Sequence, residues 1–164
     1  MTYARVGTVA ALAVGMTAIA TPAGAAYQPP TAGPDIRWLT NGPDAYASLE
    51  GNDSIRGREG ADRLYGQGGR DWLEGGGGND RVFGGTGGDE LFGNGGDDYV
   101  NGEGSDDTIV GNGGADRLYG GSGNDRILLD RDGDRDVVDC GPGFDRALGL
   151  EAGLDVAYNC EYHG

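Results

Sequence analysis

An aspartate recurs every nine residues from position 53 to position 125, and this period restricts the fold more than any other feature. Glycines precede each aspartate at fixed spacings, and an aliphatic residue follows it by two positions. Such a register is typical of stacked structural repeats rather than of disordered glycine-rich sequence. The aspartates are Asp53, Asp62, Asp71, Asp80, Asp89, Asp98, Asp107, Asp116 and Asp125. The aliphatic residues are Ile55, Leu64, Leu73, Val82, Leu91, Val100, Ile109, Leu118 and Ile127.

The glycines occupy two further columns of the repeat. A glycine opens every unit from Gly57 to Gly120, five residues before the aspartate. The second column lies two residues before the aspartate, where Ser105 is the one exception. Its turn glycines are Gly51, Gly60, Gly69, Gly78, Gly87, Gly96, Gly114 and Gly123.

The residue types within a unit predict a turn followed by a short strand. Glycine adopts positive φ at little cost, so the six Gly-rich residues of a unit suit a turn. The next three, for example 63–65, are too few for a helix and suit a strand whose middle side chain points inward. Two units would close a coil of 18 residues, with two parallel sheets around the aliphatic side chains. We therefore predict an all-β fold.

The net charge of the chain restricts the kinds of molecule that the protein is expected to bind. The 164 residues carry a formal net charge of −15, which disfavours nucleic acid and anionic membrane surfaces and favours hard cations. No H-E-x-x-H or G-x-S-x-G motif occurs, and the only histidine is His163. The sequence therefore predicts a binding protein rather than an enzyme.

The repeat over Gly51 to Leu128 resembles the hemolysin-type calcium-binding nonapeptide, or RTX repeat. The resemblance implies a parallel β-roll, a right-handed β-solenoid, of nine or more repeats in which the turns bind Ca²⁺ between stacked coils. The nine aspartates would be the metal ligands, together with turn carbonyls. The second glycine of the motif is replaced in five units, by Arg58, Gln67, Asn94, Glu103 and Asn112.

The chemistry of calcium agrees with this implication, because Ca²⁺ takes six to eight oxygen ligands, including carboxylates and backbone carbonyls. A site between coils would join aspartates 18 residues apart. One edge then pairs 53/71, 71/89, 89/107 and 107/125, and the other pairs 62/80, 80/98 and 98/116, which predicts seven ions. The alternative is that the aspartates only form Asx-turns. Since a narrow core cannot offset the entropy of ordering the repeats, we expect folding to depend on the ions.

The ends of the chain differ from the repeat. Residues 1–25 read as a cleaved signal peptide, because an apolar run too short for a membrane anchor precedes a small-residue cleavage site. We therefore expect a secreted, extracellular protein without a membrane span after cleavage. Residues 26–47 are interpreted as an N-terminal segment with a degenerate cap, 48–138 as the calcium-binding repeats, and 139–164 as a C-terminal cap.

The C-terminal region holds two further candidate features. Cys140 and Cys160 are predicted to form a disulfide that closes the cap, the alternative being a metal site with His163. Between 125 and 136 the period is broken by two inserted residues. The acidic residues there suggest an extra metal site resembling an EF-hand loop, or else a solvated acidic loop. They are Asp130, Asp132, Asp134 and Asp136.

Outward-facing residues on one sheet are predicted to form an Arg–aromatic surface interrupted at Tyr99 and Asn101. It would either bind cell-wall material, glycan or a second copy, or act as a cross-strand ladder that stiffens the sheet. The alternative function is therefore a calcium-dependent adhesion, ligand-binding or matrix protein. The residues of this surface are Arg63, Tyr65, Arg81, Phe83, Arg117 and Tyr119.

Overall fold

The computed structural model describes residues 29–163, so the expected signal peptide lies outside the described residues. Within these residues, fifteen strands alternate between two parallel sheets. The first sheet contains β1 (Ile36–Trp38), β3 (Ser54–Glu59), β5 (Trp72–Gly77), β7 (Glu90–Gly95), β9 (Thr108–Gly113), β11 (Arg126–Leu128), β13 (Arg146–Leu148) and β15 (Tyr162–His163), in this order. The second contains β2 (Ala45–Glu50), β4 (Arg63–Gly68), β6 (Arg81–Thr86), β8 (Tyr99–Gly104), β10 (Arg117–Tyr119), β12 (Val137–Asp139) and β14 (Val156–Tyr158).

Successive coils stack with the register that the nine-residue period predicts. Leu64 pairs with Val82 across 18 residues of sequence, and the same offset holds for every pair from β1 to β11. In the next coil the offset is 20, as in the pairing of Leu118 with Val138, so the two inserted residues are accommodated between β11 and β12. The last two strand pairings have offsets of 19 and 16. The all-β parallel solenoid is confirmed, with about seven coils.

The core is a single column of side chains between the sheets. All nine repeat aliphatics are completely buried, as the alternation of inward and outward positions predicts. The column continues in both directions beyond the repeat, through Tyr46 at one end and through Val138 and Ala147 at the other. Within residues 29–163, no helix is long and apolar enough to cross a membrane.

The turns are shorter than the sequence predicts. Most repeat strands have six residues rather than three, and in the unit that contains Asp62 only positions 60–62 form the corner. The predicted six-residue turn was wrong because glycines without side chains allow the backbones of neighbouring coils to pair directly, as Gly76 does with Arg58. The corner glycine has positive φ, for example 123° at Gly60.

Residues that depart from the glycine pattern keep the backbone conformation of the repeat. Arg58, Gln67 and Glu103 have φ values of 83°, 69° and 71°, and Ser105 has a φ of 89°. Non-glycine residues are uncommon in this region and cost conformational energy there. The stacking of the coils therefore imposes the left-handed conformation even where the side chain does not favour it.

Candidate metal site

Two rows of buried carboxylates run along the two edges of the solenoid. Each repeat aspartate ends a corner, directly before a strand, and is only 1–2% exposed. The aspartates that precede strands of the first sheet form one row, and those that precede strands of the second sheet form the other. Asp35 and Asp145 extend the first row and Asp44 and Asp136 extend the second, all four of them buried.

Within each row, neighbouring aspartates are joined by a hydrogen bond from backbone to side chain. The Asp80 backbone N–H donates to Asp98 Oδ1 over 2.7 Å, and the Asp98 N–H donates to Asp116 Oδ1 over 2.9 Å. The same bond recurs at every step of both rows, with distances of 2.6–2.9 Å from Asp35 and Asp44 onwards. The structure thus brings together the aspartates 18 residues apart that the sequence pairs.

The second carboxylate oxygen, Oδ2, is buried and has no hydrogen-bond partner in all nine repeat aspartates and in Asp145. Asp98 Oδ2 lies against Gly93, the glycine that opens the same unit. A methyl group added at Gly93 would lie 2.9 Å from the carbonyl oxygen of Gly111, one coil further on. A carboxylate oxygen and a carbonyl oxygen therefore border the same small space.

This pairing of oxygens recurs along both edges, beside the opening glycines at 57, 66, 75, 84, 93, 102 and 120. Buried polar atoms are nearly always hydrogen-bonded, so ten orphaned oxygens in one chain call for a ligand. A hard cation fits this oxygen-only donor set. Among the residues described, no group of three or more His, Cys, Asp or Glu side chains gathers at one point, so carbonyls would supply much of the coordination.

Burial raises the pKa of these carboxyl groups, because the charged form loses its hydration. The pKa of Asp62, Asp71 and Asp80 rises to about 6, and that of Asp107 and Asp116 to about 8. The hydrogen bond from the preceding aspartate opposes this rise, and repulsion from neighbouring carboxylates adds to it. A cation between the coils would favour the ionised form.

The N-terminal ends of both rows and the C-terminal end of the second row are closed by protein donors instead of orphaned oxygens. Asp35 Oδ2 accepts from the Thr31 backbone N–H over 2.8 Å, and Asp44 Oδ2 accepts from the N–H and the hydroxyl of Thr40 over 2.7 and 2.8 Å. At the other end, Asp155 Oδ2 accepts from the Glu151 N–H over 2.6 Å. These terminal carboxylates have ordinary hydrogen-bonded roles that need no ion.

The four candidate residues for the extra metal site lie in two different environments, one buried and three exposed. Asp136 is buried in the second row, where its Oδ1 accepts from the Asp116 N–H over 2.9 Å. Asp130, Asp132 and Asp134 are exposed. Asp132 uses its Oδ2 to accept from the Gly114 N–H and its Oδ1 to accept from the Asp134 N–H, over 2.7 and 2.9 Å.

The C-terminal disulfide is confirmed. Cys140 and Cys160 are bonded to one another with 5.2 Å between their Cα atoms, which overturns the alternative of a metal site with His163. Cys140 is completely buried and joins the end of the core column.

The Arg–aromatic surface lies on the second sheet, and Tyr99 and Asn101 interrupt its two columns as predicted, but contacts between aromatic rings continue across the interruption. The rings of Tyr65 and Phe83 are stacked with centroids 5.0 Å apart, and Tyr99 contacts Phe83 and Tyr119 at 5.6 and 5.0 Å. Tyr99 lies in the arginine column, and its long ring reaches the neighbouring column diagonally. Arg63, Arg81 and Arg117 are exposed beside the row.

Sequence reasoning missed the orphaned oxygen of Asp145 and the acceptors Asp155 and Glu161 that follow it. The signal for Asp145 was present, since it keeps the repeat spacing to Ala147 after the insertion. Glu161 Oε2 accepts from the Asp145 N–H although it departs from the aspartate column. Only the stacking of the last coil identifies it.

Stacked turn–strand coils with rows of buried, unpartnered carboxylates define a β-solenoid with candidate cation sites along both edges. A family model described as the RTX calcium-binding nonapeptide repeat matches in four copies, at residues 40–73, 48–82, 74–109 and 101–136. Because these matches together span more than half of the sequence, the chain belongs to this family. No curated protein and no solved structure matches the chain.

Proposed function

We propose that the protein is a secreted calcium-binding β-roll that folds when several Ca²⁺ ions bind between its coils. One observation carries this proposal: ten carboxylate oxygens are buried without a hydrogen-bond partner, in two rows along the edges of the solenoid. Membership in a calcium-binding repeat family supports the choice of metal. The role proposed is binding rather than catalysis.

The residues that would hold the ions are the nine repeat aspartates and the carbonyls of the opening glycines. When bound, calcium supplies positive charge and an oxygen coordination shell between the coils. The aspartate Oδ1 is already engaged by the neighbouring backbone N–H, which fixes the carboxylate and directs Oδ2 towards the opening glycine. The chain thus orients one oxygen of each carboxylate with a hydrogen bond and leaves the other for the metal.

Dependence of folding on calcium follows from the same geometry. Each buried carboxylate must lose its hydration, and carboxylates one coil apart repel each other. Without a cation, both effects oppose the ionised folded state. A chain of this kind would remain unfolded in calcium-poor cytoplasm and fold outside the cell, which agrees with the signal peptide proposed for residues 1–25.

Circular dichroism in the far ultraviolet tests the proposal directly. The purified protein is titrated with Ca²⁺ and, as the matched control, with Mg²⁺, which demands smaller octahedral sites. We expect a coil-to-β transition with Ca²⁺ at roughly 10⁻⁴ to 10⁻³ M, the range of extracellular calcium modules, and none with Mg²⁺. A spectrum already rich in β-structure in the presence of chelator, or one that never changes, contradicts calcium-dependent folding.

The alternative role, adhesion or ligand binding through the Arg–aromatic surface, remains a hypothesis. The rings of Tyr65 and Phe83 are nearly parallel, at 5° to one another, so their faces are in contact with each other. This arrangement favours the interpretation as a stiffening ladder, since a sugar or guanidinium ligand would need a free ring face.

A further inference from the structure

The outer face of the first sheet carries an apolar stripe that no repeat position explains. Phe92, Val110, Leu128 and Leu148 lie on the neighbouring strands β7, β9, β11 and β13, and each is in direct register with the next. These four residues, the apolar stripe, point away from the core and are partly exposed. Further towards the N-terminus the same column contains Glu74 and Arg56, followed by Trp38 on β1.

A second column runs beside the apolar stripe on the same strands. It consists of Glu90, Thr108, Arg126 and Arg146, again in direct register. Its charge therefore changes from negative on β7 to positive on β13. The side chains of both arginines are exposed, and that of Glu90 is 43% exposed although it forms an ion pair with Arg70 of the same chain over 2.9 Å.

We propose that this face binds a second copy of the chain, with the two sheets packed face to face about a two-fold axis parallel to the strands and between β9 and β11. This axis sets β7 opposite β13 of the second copy and β9 opposite β11. The apolar stripe of one copy then faces the apolar stripe of the other, and the second column faces the second column. Phe92 then faces the partner's Leu148, and Val110 faces the partner's Leu128. In the second column, Glu90 faces the partner's Arg146, and the symmetry forms this pair twice.

The alternative two-fold axis, perpendicular to the strands in the plane of the interface, does not fit. It keeps each strand opposite itself, so Glu90 on β7 never faces the partner's Arg146 on β13, wherever along the strands the axis crosses. Self-complementarity of both columns thus selects a single arrangement. A lipid surface is a poorer occupant, because a chain with a net charge of −15 is repelled by anionic headgroups.

The expected dimer is weak. Four strands at about 4.8 Å spacing give a stripe only about 20 Å long, well below the area of an obligate interface. The net charge of −15 also opposes association, so the dimer should form in the calcium-loaded protein, where bound ions reduce this charge.

Sedimentation velocity of the purified protein in saturating Ca²⁺ tests the proposal, with circular dichroism to verify that each variant is folded. We expect a concentration-dependent monomer–dimer equilibrium for the native sequence. Leu128→Arg should weaken dimerisation at least about ten-fold, because it places a charge in the apolar stripe. Asn101→Arg, an equivalent outward substitution on the other sheet, is the matched control and should leave the equilibrium unchanged.

Two charge reversals test the arrangement itself. Glu90→Arg and Arg146→Glu should each weaken self-association about ten-fold, because like charges then face each other. An equimolar mixture of the two folded variants should associate again, since the two substituted side chains then face each other with opposite charges and the second pair keeps its native Glu90 and Arg146. A native protein that stays monomeric at all concentrations, an ineffective Leu128→Arg, or a mixture no better than its components overturns the proposal. Because all variants are compared in the folded state, these outcomes are independent of whether calcium drives folding.

Discussion

Asp98 shows how one side chain serves two structural purposes. Its Oδ1 accepts the N–H of Asp80 and so joins two coils, while its Oδ2 is buried against Gly93 without a partner. The hydrogen bond fixes the carboxyl group, because a carboxylate held by one oxygen has little freedom left for the other. The stabilisation of the unpartnered oxygen therefore depends on what occupies the space beside Gly93.

Replacing Asp98 by Asn keeps the hydrogen bond between the coils and changes only the unpartnered oxygen. The amide keeps an oxygen for the Asp80 N–H and places an NH₂ group, which cannot bind a cation, where Oδ2 lies. Since Asp98 belongs to the pairs 80/98 and 98/116, we expect Asp98→Asn to lower the number of bound calcium ions by two of the seven predicted. Calcium competition against a chromophoric chelator measures this number.

The matched control is Asp97→Asn, the same chemical change one residue earlier. Asp97 is exposed, and its Oδ1 accepts from the Ala115 N–H over 3.1 Å, a bond that Asn preserves. Calcium binding of this variant should equal that of the native protein. If Asp98→Asn binds as many ions as Asp97→Asn, the orphaned oxygens are not ligands.

At the scale of the strands, the solvent-facing sides of the two sheets carry different kinds of side chain. On the second sheet, the aromatic row of Tyr65, Phe83, Tyr99 and Tyr119 packs ring against ring across four strands. Cross-strand pairs of this kind stabilise sheets beyond the area they bury. The row therefore supports the sheet on its solvent side, where the narrow core cannot.

Phe83→Ser removes two ring contacts, with Tyr65 and with Tyr99. Each aromatic pair contributes about 0.5–1.5 kcal/mol, so we expect a loss of roughly 1–3 kcal/mol in the free energy of unfolding. Denaturant unfolding in saturating calcium measures the change. Arg81→Ser, an exposed position on the same strand, should alter stability by less than about 0.5 kcal/mol. Equal stability of the two variants would mean that the rings do not support the sheet.

For the whole molecule, the period in the sequence was sufficient to predict the solenoid, its 18-residue coil and its core, because each inward position repeats in every unit. The disulfide followed from the isolated pair Cys140 and Cys160. The short corners and the diagonal contact of Tyr99 could not be predicted, since both depend on how closely neighbouring coils approach. Likewise, the apolar stripe is spread over residues 18 or 20 positions apart, and only the stacking brings them together.

The buried rows also make the stability of the whole metal-free molecule depend on pH. An unfolded aspartate has a pKa near about 3.9, whereas Asp107 and Asp116 have pKa values of about 8 in the fold and Asp62, Asp71 and Asp80 about 6. At pH values between the unfolded and the folded pKa, the folded chain binds more protons than the unfolded chain. The free energy of unfolding without metal must therefore decrease as the pH rises from about 4 to about 8.

In the presence of chelator, acidification from about pH 8 to about pH 5 should thus increase the β-structure of the chain and its melting temperature. In the presence of calcium the opposite dependence holds for binding, because the ligands must first lose their protons, so the calcium concentration at the folding midpoint should rise as the pH falls. Circular dichroism across a pH series measures both. The double variant Asp107→Asn/Asp116→Asn removes the two groups with the highest pKa, and should flatten the metal-free profile between about pH 7 and 8. Below about pH 7 the profile should keep a slope, because Asp89 and Asp98, with pKa values of about 7, still bind protons in the fold. A metal-free fold that becomes more stable towards neutral pH would show that the carboxylates are ionised and satisfied without a cation, and calcium would then have no energetic reason to bind between the coils.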